Sequence, residues 1–205
     1  VGGAGRLVGV VFGALGMAVL AMVVLHLLGA GRLDPATTTV SDFVSLPGGA
    51  ALLALAVLGV ATSAAAVLIG LLRTCLPRTT APALLLGLGC AGLVATIVFP
   101  TNALGTATSS TAVLHRYAAG LFFVSLPIAA ILIGRVLPHH PLLLVVSIVV
   151  GVAFLVSHVP LVLPGLPGAR GIATALPRGL VERGLLAVDM GLLAALARSI
   201  RSVAA

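Results

Sequence analysis

The chain has no lysine and no tryptophan, a single tyrosine (Tyr117), two cysteines and four carboxylates. Each scarcity excludes something. Charged residues make up 7% of the sequence, against roughly 25% in a typical soluble domain, so an ordinary water-facing surface cannot be covered. The formal net charge of +7 is carried by arginine alone. Those arginines stand one or two at a time with few aromatics between them. Nucleic acid needs a clustered basic face and is excluded as a partner. With Trp absent and Tyr117 alone, the usual aromatic belt at a membrane interface is nearly missing. Cys75 and Cys90 lack the C-x-x-C spacing of a redox or zinc site and read as small apolar fillers.

What the chain does have is hydrophobic sequence, 60% of it. A membrane span needs about 20 apolar residues, and the pattern predicts six, near 7–30, 47–72, 82–100, 112–136, 141–163 and 179–200. The expected fold is all-α, a polytopic bundle of six transmembrane helices forming one integral membrane domain over 1–205. Pro47-Gly48-Gly49, Pro77, Pro100, Pro138, Pro141 and the stretch from Pro164 to Pro177 punctuate the short connections. No internal repeat is evident. The apolar run after Arg6 is longer than a secretory h-region, and Leu28-Gly29-Ala30 makes a poor cleavage site, so a retained first span is expected.

Arginine placement gives the orientation. With both termini cytoplasmic, the inner face of a cell-membrane protein carries Arg6, Arg73, Arg78, Arg135, Arg198 and Arg201 and no acid. The outer face carries Arg32, Arg116, Arg170, Arg178 and Arg183, offset by the acids. Small residues recur at helical spacing, Gly9, Gly13 and Gly16 in the first span and Gly59, Ser63, Ala66 and Gly70 in the second. Such rows suit close helix packing within the chain.

All four carboxylates, Asp34, Asp42, Glu182 and Asp189, fall on the outer side, with His26, Asn102, His115, Arg116, His158 and Arg183 in the same half. Polar groups converging in a bilayer point to a working site. The expected ligand-binding set is Asp42, Asn102, His115, Arg116, Glu182, Arg183 and Asp189. His115 suits proton transfer or gripping a headgroup, since histidine ordinarily titrates near neutrality. His115 and Asp42 are the catalytic candidates. Ser41, Ser45 or Asp42 could instead cap the second helix, and Arg116 could close the bundle by pairing with Asp42 or Glu182. Arg178, Glu182 and Asp189 share one helical stripe. Arg178 and Glu182 can pair at its mouth. Asp189 lies eleven residues on, about 16 Å deeper at about 1.5 Å per residue, where a carboxylate needs a proton, a partner or water. Arg183 points about 100 degrees away from that stripe and could reach phosphate or a neighbouring helix. His26, His115 and His158 with Asp42 could in principle hold zinc, but no H-x-x-x-H or H-E-x-x-H pair exists. His139 and His140 read as a solvated turn. Neither a metal nor another cofactor is expected.

Several stretches together resemble a bacterial family. They are Asp34-Pro35, Thr39-Val40-Ser41-Asp42, Pro47-Gly48-Gly49, Phe99-Pro100-Thr101-Asn102, the run from His115-Arg116-Tyr117 to Phe122-Phe123, and Glu182-Arg183-Gly184. Their order and spacing resemble the six-span "domain of unknown function 998" family, common in actinobacteria, over nearly the whole chain. The resemblance implies an aspartate in many relatives where Asn102 stands, and a glutamine in place of Glu182. It supports fold and topology and implies no activity. Three functions stay open, in order of preference. The first is a small accessory subunit packing against a larger membrane protein complex. The second is a binding or transport protein for a lipid or other apolar molecule, with membrane lipids as partners. The third is an intramembrane lipid-modifying enzyme using His115 and Asp42.

Overall fold

A computed structural model describes residues 2–74, 78–102, 106–136, 141–162, 171 and 177–204. Cys75, Pro77, Pro138, His139, His140, Pro164, Arg170 and the side chain of His158 lie outside the described residues. The described chain is helical, without strands. Helix α1 covers Gly2–Gly29, a short 3-10 helix Val40–Ser45, α2 Gly49–Leu72, α3 Thr80–Val98, α4 Ser110–Ile133, α5 Pro141–Val162 and α6 Arg178–Ala204. Long runs of Leu, Ala and Val form these helices, and the boundaries have local causes. Pro141 opens α5, where a missing N–H costs nothing. Gly48 precedes α2 at φ 74, a left-handed conformation that favours glycine.

Each predicted span therefore has its helix, but the membrane character is uneven. Four stretches, Gly5–Gly29, Gly49–Leu72, Thr80–Val98 and Ser110–Ile133, are long and apolar enough to cross a bilayer. In α5 the apolar stretch Leu144–Ser157 is shorter. Helix α6 carries Arg178, Glu182, Arg183, Asp189, Arg198 and Arg201, and does not qualify by composition. The chain is thus a multi-pass helical membrane protein.

The helices follow one another around the bundle, and α6 closes the ring on α1 while also touching α2 and α4. One apolar core joins them all, with Val11, Val67, Leu86, Phe122, Phe154 and Leu193 as members from α1 to α6 in turn. Helices α1 and α2 run antiparallel. Ser63 Oγ donates to Val11 O (3.2 Å) and Gly59 O (2.8 Å), which satisfies a buried hydroxyl. A Cβ on Gly59 would lie 2.5 Å from Ala14 O, so the α2 row of small residues brings the backbones together as expected. The α1 row does not. Gly9, Gly13 and Gly16 are exposed, and an added Cβ there meets nothing. The packing face of α1 is instead Val11, Leu15 and Ala18, each two residues on from a glycine and so on the opposite side of the helix. Large apolar side chains such as Leu20, Leu27 and Leu142 cover the outside, the surface a lipid-facing bundle presents.

Candidate functional site

The connection between α1 and α2 folds by local hydrogen bonds. Asp34 Oδ1 accepts from Ala36 N–H and Oδ2 from the Thr37 hydroxyl, both at 2.9 Å, making an Asx-type turn. Those two bonds, the Ala36 amide first, hold the Asp34 carboxyl below its ordinary range. Asp42 Oδ2 accepts from Thr39 N–H at 2.9 Å and Thr39 Oγ1 at 2.6 Å. Asp42 thus caps the 3-10 helix, its third residue reaching back as in a capping box, and not α2. Beneath it Phe43 is buried with Leu25 and Leu46, its ring 5.0 Å from that of His26.

Arg183 fastens this loop to the bundle. Its Nε donates to His26 Nε2 at 2.7 Å, and its Nη1 to Pro35 O and Thr38 O at 2.8 Å and Gly179 O at 2.9 Å. The guanidinium carbon sits 5.2 Å from the Phe43 centroid. His26 Nε2 accepts here, so the ring's hydrogen is on Nδ1, which donates to Met22 O at 2.7 Å. Gly179 makes the close approach possible, because a Cβ would fall on the carbonyls of Pro35, Ala36 and Thr38. Of the two reaches expected for Arg183, to phosphate or to a neighbouring helix, the structure shows the second, to His26 on α1, and adds the loop carbonyls.

Glu182, one residue earlier, departs from its expected pairing with Arg178. Its Oε2 accepts from Val40 N–H at 2.9 Å, while Arg178 Nε is buried without a hydrogen-bond partner. His115 is 8% exposed, and its Nδ1 faces two carbonyls, Thr96 O at 3.0 Å and Phe99 O at 2.9 Å. Nδ1 therefore carries a hydrogen and donates to them. The orienting group for His115 is this carbonyl pair, not Asp42.

Three cavities adjoin at this end of the molecule. The outermost, about 160 Å³, is polar and lined by Asp42, His115, Arg116, Arg178 and Glu182 among others. The next, about 130 Å³, shares His115, Glu182, Ser41 and Thr101 with it but is walled mainly by apolar side chains such as Leu53, Val57 and Phe122. The third, about 450 Å³, is almost wholly apolar and lies between α1, α2 and α6. It shares Leu53, Val57, Leu93 and Leu186 with the second, and opens on the outside of the bundle where Val19, Val23 and Leu27 are exposed. His26 and Arg183 line this chamber.

The structure thus brings together Asp42, His115, Arg116 and Glu182, and sets Arg183 two cavities away, in the apolar one. It does not bring in Asn102 or Asp189. Asn102 Oδ1 accepts from Ser109 N–H (2.9 Å) and Oγ (3.0 Å), and Ser109 in turn caps α4, so Asn102 closes its own loop. Asp189 is 0% exposed, neither of its oxygens has a hydrogen-bond partner, and it lines none of the three cavities. Among the described residues no three His, Cys, Asp or Glu side chains group to hold a metal ion. Sequence reasoning missed Phe43, Gly179 and Thr101. The Thr39-x-x-Asp42 spacing was the one signal that could have located the 3-10 cap.

No curated protein and no solved structure matches the chain. One family model does, "Protein of unknown function (DUF998)", over residues 5–199. With a match along nearly the whole sequence, the chain belongs to the DUF998 family.

Proposed function

We propose that this protein binds an amphipathic, lipid-like molecule inside a six-span bundle, its apolar part in the chamber between α1, α2 and α6 and its polar end at His115. One observation carries the reading: the adjoining cavities grade from an almost wholly apolar groove, open on the apolar exterior at Val19, Val23 and Leu27, to a polar end that holds Asp42, His115, Arg116 and Glu182. Binding sites for such molecules are mostly apolar with a few convergent polar groups. His115, held through Nδ1 by two carbonyls, lines both the polar cavity and the one next to it, and so stands at their junction.

The six-span count extends the four apolar helices by α5 and α6. Helix α6 has 27 residues, enough to cross. Its ionisable groups gather at its two ends, apart from Asp189, which is sealed from the surroundings by neighbouring helices. Arg73 and Arg201 line one cavity at the end holding the N-terminus, while Asp42 and Glu182 lie at the other. The arginine rule then favours cytoplasmic termini in a cell membrane.

An accessory subunit of a larger complex, the first preference from sequence, draws on short loops and an apolar exterior. A lipid-facing bundle has both, so the cavities favour the binding reading. An enzymatic role would need a reacting group delivered to His115 Nε2. The test is native mass spectrometry of the full chain gently extracted from its membrane. A bound lipid mass is expected, lost when Val57→Phe fills the chamber wall. A lipid-free chain under every mild detergent would refute the reading, and a fixed protein complex would restore the accessory subunit.

A further inference from the structure

The outermost cavity has a charge pattern that specifies the polar end of its ligand. Two guanidiniums, Arg116 and Arg178, and two carboxylates, Asp42 and Glu182, line it together with His115. Formal charges cancel, yet the groups do not satisfy one another. Asp42 Oδ2 is engaged by Thr39 and Glu182 Oε2 by the Val40 amide, which leaves one oxygen on each without a described bond. Arg178 Nε is buried without a partner, and Arg116 is exposed at the rim with none among the described residues. His115 is nine-tenths buried, with Nδ1 turned to the carbonyls of Thr96 and Phe99.

Resting on the lipid-binding reading, we propose that the mouth takes a zwitterionic phosphate–ammonium head, as in an aminophospholipid. The phosphate oxygens meet Arg116 and Arg178, since guanidinium forks match phosphate geometry. The ammonium meets the open oxygens of Glu182 and Asp42. A purely anionic head would leave those two carboxylates facing it, and an uncharged head would leave all four charges unanswered. A primary ammonium also fits better than a quaternary one, because its N–H groups are donors and every group left for it is an acceptor.

The experiment presents the full chain in nanodiscs containing equal parts of phosphatidylethanolamine, phosphatidylglycerol and diacylglycerol, followed by native mass spectrometry of the lipid retained. Phosphatidylethanolamine is expected above both competitors. Arg178→Gln and Arg116→Gln should each cut its preference over diacylglycerol about tenfold, the scale of one charge-assisted hydrogen bond. Glu182→Gln, which can still accept from Val40, should cut its preference over phosphatidylglycerol instead. Arg116 is exposed, so its variant tests the head even where a deeper one misfolds. Retention of no lipid at all would refute the chamber reading itself. Retention without head preference, or with phosphatidylglycerol ahead, would leave the chamber standing and overturn the zwitterion. Displacement of the lipid by an equal concentration of free phosphoethanolamine would move the ligand to the soluble pool and overturn a lipid source.

Discussion

Replacing Arg183 with methionine should release the loop that roofs the apolar chamber. Arg183 presents three useful N–H groups, one on Nε to His26 and two on Nη1 shared among the carbonyls of Pro35, Thr38 and Gly179. At the low end for a charged donor, about 1.5 kcal/mol each, these give roughly 4–5 kcal/mol. Stacking on Phe43 adds about 0.5 kcal/mol. Nη2 is buried without a partner, a cost of about 1–2 kcal/mol that methionine removes. The net loss is about 3 kcal/mol, or roughly 6–12 °C in midpoint for a chain of this length. Arg183→Lys should recover little, because one ammonium cannot reach both His26 and the loop carbonyls. With no tryptophan in the chain, thermal unfolding in detergent is followed by circular dichroism, alongside amide exchange across residues 33–46. A loss below about 1 kcal/mol, with exchange in the loop unchanged, would refute the clamp.

Three further outcomes follow from the same geometry. Gly179→Ala should destabilise by about 2 kcal/mol, since its Cβ meets three loop carbonyls, and calorimetry of the variant reads this directly. Asp189→Leu should raise stability by about 1–3 kcal/mol by removing buried oxygens that have no partner; a lowered unfolding midpoint would reveal a partner for Asp189. The Asp34 turn should be pH-sensitive. Its carboxyl is depressed in the folded state, so its contribution is complete above the ordinary value of 3.8 and disappears as pH falls through the lower folded value. Amide exchange at Ala36 and Thr37 should accelerate only in that acid range, and Asp34→Ala should abolish the dependence.

Hydrophobic run lengths were enough to locate each long helix among the described residues to within five residues, though not the 3-10 helix Val40–Ser45, because backbone satisfaction in lipid leaves little alternative to a continuous helix. Which face of each helix turns inward was less legible. In α1 the glycines Gly9, Gly13 and Gly16 look like a packing row, yet Val11, Leu15 and Ala18 are buried. An apolar helix in lipid has no polar side to betray its orientation, so periodicity alone cannot choose. The outer cluster was legible in part as a set and not as pairs. His115, Arg116, Asp42 and Glu182 line one cavity while Asn102 and Asp189 stay out of it, and Asp42 and Glu182 each spend one oxygen on the backbone of Thr39 or Val40. Pairing rules match charge to charge, whereas a 3-10 helix start offers backbone donors already in place.

Helix α6 shows why composition misjudges the element that matters most. A hydropathy threshold treats each residue of a span as if it faced lipid. Helix α6 touches α1, α2, α4 and α5, and its Leu185, Asp189, Leu192, Leu193 and Leu196 are buried against protein. A helix so enclosed can carry polar groups that an outer helix could not, provided that other helices or a cavity receive them. Arg178 and Glu182 meet the polar mouth, Arg183 meets the loop, and Asp189 alone meets nothing. Three of the six charges that lower α6 below the hydropathy of its neighbours, Arg178, Glu182 and Arg183, are therefore ones that the polar cavity and the loop receive. The helix most enclosed by protein in a small membrane bundle can for this reason be the one that looks least like a membrane helix.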